Sequence, residues 1–209
     1  LLNIAVWLGM VWVGTALGLW LTGRLLADES PSARLALAAG VGLGLLSLLA
    51  LGLGLAGLLR PVVAWGLMLA LGVLLRRNLC TALADLRSGR YGLPRPTGSF
   101  QRWLAVYAGS SLLMVFLAAL APPTAWDALV YHLTGPRLFV EAGRIVHPID
   151  LPYLGFPQLG EMQFTLGMLL AWDGVASLLH FGYGLLALVV TVALAQRLFS
   201  DNTAWLAAA

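Results

Sequence analysis

Five stretches of this chain carry no charged side chain, and their lengths limit the fold more than any other feature. They cover residues 1–23, 35–59, 61–75, 103–126 and 174–196. Four of them reach the 18 or more apolar-dominated residues that a helix needs to cross a hydrocarbon core of about 30 Å. No segment alternates apolar and polar residues with period two, which excludes a membrane β-barrel. We therefore expect an all-α, polytopic transmembrane protein of about five spans.

The positions of the arginines predict how these spans are oriented. All twelve basic residues are arginines in the loops between apolar runs, where membrane topology explains them and nucleic-acid binding is not required. Six of them lie between residues 76 and 102, against one acid, Asp85. Placing this segment in the cytoplasm puts the N-terminus and residues 121–160 outside. We expect spans at 1–22, 35–59, 61–75, 103–120 and 174–196, with nine arginines inside (24, 34, 76, 77, 87, 90, 95, 102, 197) and three outside (60, 137, 144).

The chain divides into two parts by these patterns. Residues 1–102 hold three spans and the arginine-rich loop, and residues 103–209 hold two spans separated by the external segment. The chain lacks an initial methionine and stops inside the apolar stretch 203–209, so we expect it to be part of a longer protein. Span one contains Gly14 and Gly18 at small-xxx-small spacing, and span two contains six glycines. This pattern is typical of close helix packing in membranes.

The external segment 121–160 is longer than a tether requires and is rich in Trp, Tyr, His, Pro and acids. We expect interfacial helices here, the first from about Ala125 to Gly143 with a break at Gly135-Pro136. On a regular helix Asp127 and Tyr131 share one face, whereas His132 lies about 140° away from Asp127. The spacing therefore argues against an Asp–His pair.

Structural roles compete with functional ones at several of these residues. Thr124-Ala-Trp-Asp127 fits a helix-capping pattern. The residues therefore favour a capping role and a chemical role for Asp127 about equally. Glu161 more readily complements the N-terminus of the helix after Pro157. Arg137 either snorkels at the interface or binds an anion.

The order of motifs resembles the start of the GT-C glycosyltransferases. It runs Pro123-x-x-Trp-Asp127-x-x-x-Tyr-His-Leu133, Phe139-x-x-x-Gly-x-Ile145, Pro157-x-Leu-Gly-Glu161, and a long span ending Ala195-Gln-Arg-Leu-Phe199. It is most similar to the branch of the protein mannosyltransferases and the lipid A aminoarabinose transferase. Residues 103–209 carry this resemblance, within which the family's Pro-Pro-Leu helix start resembles Phe156-Pro157-Gln158-Leu159.

The resemblance implies a function at the outer face of a plasma membrane, the inner membrane of a bacterium. The donor would be a sugar on a polyprenyl phosphate, transferred with inversion to an acceptor. Asp127 would act as the catalytic base, while Tyr131, His132, Arg137, Arg144 and Glu161 would bind substrate. No metal or other cofactor is implied by the residues. The family usually has two adjacent acids at the first-loop site, whereas Ala128 follows Asp127 here.

A second function class stays open beside the enzyme. His180 is expected in the middle of span five beside Phe181 and Tyr183, and an intramembrane histidine among aromatic residues can ligate a chlorin or haem. The chain would then be a non-catalytic structural or pigment-binding subunit of a membrane complex.

Overall fold

The fold is known from a computed structural model that describes residues 1–87, 94–147, 151–155 and 158–209. Within these ranges the regular structure is helical, as the sequence predicts, and no strand occurs. The α-helices are α1 (Leu2–Thr22), α2 (Pro31–Leu55), α3 (Pro61–Leu74), α4 (Arg76–Arg87), α5 (Ser99–Ala119), α6 (Thr134–Ala142), α7 (Leu159–Leu170), α8 (Gly174–Leu198) and α9 (Asp201–Ala208). A π-helical turn (Ala128–His132) precedes α6, and a 3-10 turn (Pro152–Gly155) precedes α7.

Four helices, α1, α2, α5 and α8, are long and apolar enough to cross a membrane. The pair α3 and α4 also meets the test when taken together, but the two helices are bent by 68° at Leu75. The apolar run of α3 is short because Arg76 and Arg77 end it, and the chain turns where these charges begin. Four or five spans agree with an integral membrane protein.

The second span begins and ends four residues earlier than the sequence suggests. Pro31 occupies the first helical turn, and the Ser30 side chain accepts a hydrogen bond from the backbone N–H of Ala33 at 3.4 Å. These are favourable helix-start residues. At the other end the chain turns at Gly57, whose φ of 71° lies in the left-handed region that favours glycine.

Close packing between α1 and α2 confirms the interpretation of the glycines in span one. A Cβ added at Gly18 would overlap the carbonyl of Ala38, and one added at Gly42 would overlap the carbonyl of Gly14. Not every glycine of α2 has this role, because a Cβ at Gly40 would meet no other atom within 4 Å. The backbones of the two helices approach closely where side chains are missing on both sides.

Contacts near the helix ends show which loops lie at the same end of the bundle. At one end, the backbone N–H of Leu59 donates to the carbonyl of Gly143 at 3.0 Å. At the other, Arg197 pairs with Glu29 across 2.6 Å, and the Gln101 side chain bonds Asn202. The loops expected on the external side and those expected on the cytoplasmic side thus lie at opposite ends of the bundle.

The helix α7 is enclosed by the other helices, whereas α5 is peripheral. Eight of the twelve residues of α7 are buried, and it packs against α2 and α8. The Gln163 side chain donates to the carbonyl of Leu43 at 3.2 Å and accepts a hydrogen bond from the Tyr183 hydroxyl. No residue of α5 is buried, and α5 contacts α8 and α9. A wide space therefore remains between α5 and the α7–α8 pair.

Candidate functional site

This space is a cavity of ≈ 1520 Å³, which we call the α5–α8 cavity. Apolar side chains line much of it, among them Leu112, Val115, Phe164, Phe181, Leu185 and Leu188. Its polar lining comes from the segment after α5, the π turn, and the starts of α7 and α8, and includes Thr124, Asp127, His132, Glu161, Ser177 and His180. The cavity thus combines a long apolar wall with a group of acids and histidines.

The π turn changes the relation between Asp127 and His132. Leu133 donates its backbone N–H to the carbonyl of Ala128 at 2.9 Å, five residues earlier. Residues five apart are the bonded neighbours in such a turn and lie nearer to one face than they do in an α-helix. Asp127 and His132 consequently both line the cavity, and the angle of about 140° expected on a regular helix does not apply.

Pro136 supplies the local reason for this irregularity. It has no N–H to donate to the carbonyl of His132, four residues earlier, so the regular ladder cannot pass through this point. The predicted break at Gly135-Pro136 is therefore misplaced. Gly135 and Pro136 lie in the first turn of α6, and the departure from α-helix is in residues 128–132.

His132 does pair with an acid, and that acid is Glu161. The His132 Nδ1 atom lies 2.5 Å from Glu161 Oε1, with side-chain exposures of 40% and 11%. Glu161 lies in the first turn of α7, so its favourable position at the helix N-terminus and its contact with His132 coexist. A buried carboxylate therefore holds an imidazole at the wall of the cavity.

Asp127 does not form the capping bond that the sequence allows. No side-chain capping hydrogen bond is formed at the start of the π turn, and neither Thr124 nor Asp127 makes a side-chain hydrogen bond within the described part of the chain. Asp127 is exposed to the cavity. Its carboxylate is therefore available to a ligand.

Tyr131 lies beside His132, although it is not among the residues that line the α5–α8 cavity. Its ring centroid lies 4.0 Å from that of His132 and 5.3 Å from that of Tyr153, which stacks on it. Partial burial raises the pKa of the Tyr131 phenol, and the negative charges of Asp127 and Glu161 raise it further. The phenol thus remains a hydrogen-bond donor over the physiological pH range.

The two arginines predicted to bind substrate lie away from the cavity wall. Arg137 pairs with Asp173 across 3.0 Å, and both side chains are partly exposed. Arg144 is exposed, and the described residues offer it no hydrogen bond or ion pair. Neither arginine is among the cavity-lining residues. A role for them in binding a phosphate stays a prediction.

His180 lines the same cavity, in the second turn of α8. His180 thus lies near the start of α8, and not in the middle of the span as the sequence suggests. Its side chain is exposed to the cavity. Its neighbour Phe181 packs instead against Trp7 and Phe116, at centroid distances of 6.0 and 5.4 Å. In the part of the chain that the structure describes, no three His, Cys, Asp or Glu side chains are grouped closely enough to hold a metal ion.

The contact between His132 and Glu161 was not foreseen, because 29 residues separate them and no local spacing rule joins them. Pro136, four residues after His132, is the sequence signal for an irregular turn there. Phe156 and Pro157 of the family-like helix start, and Arg90 of the basic loop, lie outside the described residues. The helix that follows begins at Leu159, close to its predicted position.

Compared with protein-family models, with curated proteins and with solved structures, the chain matches none of them. The resemblance to the GT-C glycosyltransferases consequently rests on the sequence motifs alone.

Proposed function

We propose that this protein is a membrane glycosyltransferase that transfers a sugar from a polyprenyl-phosphate donor to an acceptor at the external face. The observation that carries the proposal is the α5–α8 cavity, in which an apolar wall adjoins a group of acids and histidines. A lipid-linked sugar has the same division into an apolar tail and a polar head.

The size of the cavity suits a lipid-linked substrate. Pockets for small ligands usually measure about 300–1,000 Å³, and this one is ≈ 1520 Å³. The side chains of α5 and the middle of α8 would contact the polyprenyl chain. The anomeric carbon of the sugar would then lie near Asp127, His132 and Glu161, where the acceptor hydroxyl finds charged hydrogen-bond partners.

The chemistry would be a direct displacement at the anomeric carbon. The acceptor oxygen forms a bond to this carbon as the bond to the phosphate oxygen breaks, which inverts the configuration. Asp127 binds the acceptor hydroxyl and either orients it or removes its proton. Tyr131 donates a hydrogen bond to the sugar or the phosphate.

The leaving phosphate needs positive charge, and Arg137 is close to this part of the chain. Its ion pair with Asp173 is exposed, and such pairs contribute only about 0–1 kcal/mol. Arg137 can therefore leave Asp173 for a phosphate at little cost. Arg144 is a second cation of the same external segment.

The arginine distribution supports the proposed orientation in the membrane. The end of the bundle that holds the α1–α2 turn and Arg197 carries most of the arginines, and positive loops favour the cytoplasmic side. The cavity's acidic group, formed by residues 121–161, would then face the outside of a plasma membrane.

Transfer by the full-length protein in membranes tests this function directly. We expect a labelled sugar to move from a polyprenyl-phosphate donor to an acceptor, and not from a nucleotide sugar offered to the same preparation. Transfer from the nucleotide sugar alone would contradict the proposed donor.

Pigment binding is the second candidate, because His180 lies on the wall of a cavity large enough for a macrocycle. Absorption by the purified protein separates the two functions. A Soret-type band that disappears in His180→Ala would favour the pigment-binding subunit over the enzyme.

A further inference from the structure

The contact between His132 and Glu161 uses one nitrogen of the imidazole ring and leaves the other for a ligand. Glu161 is buried, and its Oε1 atom contacts the Nδ1 atom of His132 at 2.5 Å. With the carboxylate ionised, Nδ1 carries the proton and donates it to Glu161, since a carboxylate can only accept. The other ring nitrogen, Nε2, then has a free lone pair in a side chain that lines the cavity.

We infer that His132, held in this tautomer by Glu161, accepts the proton of the acceptor hydroxyl. The inference rests on the proposed glycosyl transfer and assigns one step of it. Asp127 orients the hydroxyl, His132 is the base, and Glu161 is a positioning residue that acts through His132.

Three features favour His132 over the carboxylates as the base. Histidine is the side chain that most often serves as a general base in proteins. Asp127 is exposed, and no side chain among the described residues bonds to its carboxylate. Glu161 already accepts the hydrogen bond of His132 and is largely covered.

The π turn brings the base and the orienting carboxylate to one wall. Because of the five-residue bonding, Asp127 and His132 both line the cavity, at the place where Glu161 enters from α7. A base fixed by a second group, beside a residue that binds the reacting hydroxyl, is the usual arrangement in general base catalysis.

The step balances in atoms and charge. The acceptor oxygen bonds to the anomeric carbon, and the carbon–oxygen bond to the phosphate breaks with its electron pair left on the phosphate. The hydroxyl proton moves to Nε2 of His132. The imidazolium that results lies against the Glu161 carboxylate, which offsets its new charge.

A structural role would also make His132 important, so the test uses chemical rescue. In the full-length protein in membranes we compare His132→Ala, Glu161→Gln and, as a matched control, His147→Ala, an exposed histidine that does not line the cavity. We expect His132→Ala to lower kcat by roughly 10²-fold or more, with little change in the KM of the donor. Added imidazole should raise the rate of His132→Ala roughly tenfold or more, because the space that the side chain leaves admits a free base.

The other variants isolate the remaining roles. Glu161→Gln should lower kcat by roughly tenfold, because the amide carries no charge to offset the imidazolium and its NH₂ group can favour the other tautomer. The donor KM should stay near the wild-type value, since Glu161 acts through His132. Asp127→Asn should be slow and should not respond to imidazole. His147→Ala should match the wild type.

Three results would overturn the inference alone, and a fourth would overturn it together with the proposed function. Wild-type rates in His132→Ala would remove His132 as the base, and a loss that imidazole does not restore in either His132→Ala or His132→Gly would mark the pair as structural. Wild-type kcat in Glu161→Gln would remove the positioning role. Absence of transfer by the wild type with every polyprenyl-phosphate donor would overturn the proposed function and this inference together, whereas the first three outcomes leave the function intact.

Discussion

Tyr131 reports on the groups that surround it, because its phenol has no charge of its own at neutral pH. Partial burial raises the pKa of Tyr131, and the negative charges of Asp127 and Glu161, followed by Tyr153, raise it further. Removing one of these charges should therefore lower the pKa of this phenol, though not to its ordinary value of about 10, since burial remains.

The first prediction follows from this electrostatic link. The alkaline absorbance change of Tyr131, taken as the difference between wild type and Tyr131→Phe, should occur at lower pH in an Asp127→Asn background. Glu141→Gln, an exposed acid of α6 that does not line the cavity, is the control and should leave the curve in place. The same midpoint in Asp127→Asn and wild type would mean that Asp127 does not face Tyr131.

At the scale of helices, the α1–α2 interface rests on missing side chains. A methyl group at Gly42 would overlap the backbone of Gly14, whereas one at Gly40 would enter open space. The two glycines are two residues apart on one helix, so they form a matched pair.

The second prediction compares Gly42→Ala with Gly40→Ala in reversible unfolding in lipid or detergent. Gly42→Ala should lower the free energy of unfolding by about 1–3 kcal/mol, because the helices must separate. Gly40→Ala should be neutral or slightly stabilising, by up to about 1 kcal/mol, since alanine favours the helix. Equal effects of the two changes would contradict the close approach of α1 and α2.

The sequence predicts helices of this kind well and their irregularities poorly. Apolar runs fix the four long spans because a membrane leaves few alternatives to a helix. The start of α2 is displaced because Ser30 and Pro31 begin the helix ahead of the charge at Arg34. The pairing of His132 with Glu161 depends on a π turn and on a contact between segments far apart in the sequence. A periodicity that assumes a regular α-helix predicts neither of them.

For the whole molecule, the proposed function requires that the two ends of the helix bundle face opposite sides of the membrane. Gly143 bonds the α2–α3 turn at one end, and Arg197 bonds the α1–α2 turn at the other. Ser99 begins α5, near the bond from Gln101 to Asn202, while Gly155 ends the 3-10 turn that precedes α7, in the segment expected outside.

The third prediction concerns the sides of the membrane that these residues face. In a background where the exposed Cys80 is replaced by Ser, a membrane-impermeant thiol reagent should label Gly155→Cys in intact cells. It should label Ser99→Cys only after the membrane is opened, because the arginine-rich end is retained in the cytoplasm. Labelling of both from the same side would contradict the topology.

The central claim, that the α5–α8 cavity transfers a sugar with the help of Asp127, is tested most directly by the rate of transfer in Asp127→Asn. Asparagine keeps the shape and one oxygen but removes the charge. Whether Asp127 removes the proton or only holds the acceptor hydroxyl in place, we expect transfer from a polyprenyl-phosphate sugar by the full-length protein to fall by roughly 10²-fold or more, while Glu141→Gln, at matched membrane expression, keeps the wild-type rate. A purely structural first-turn charge is worth only about 0.3–1 kcal/mol of stability and would leave the activity largely unchanged. Near-equal rates in wild type and Asp127→Asn would contradict the claim.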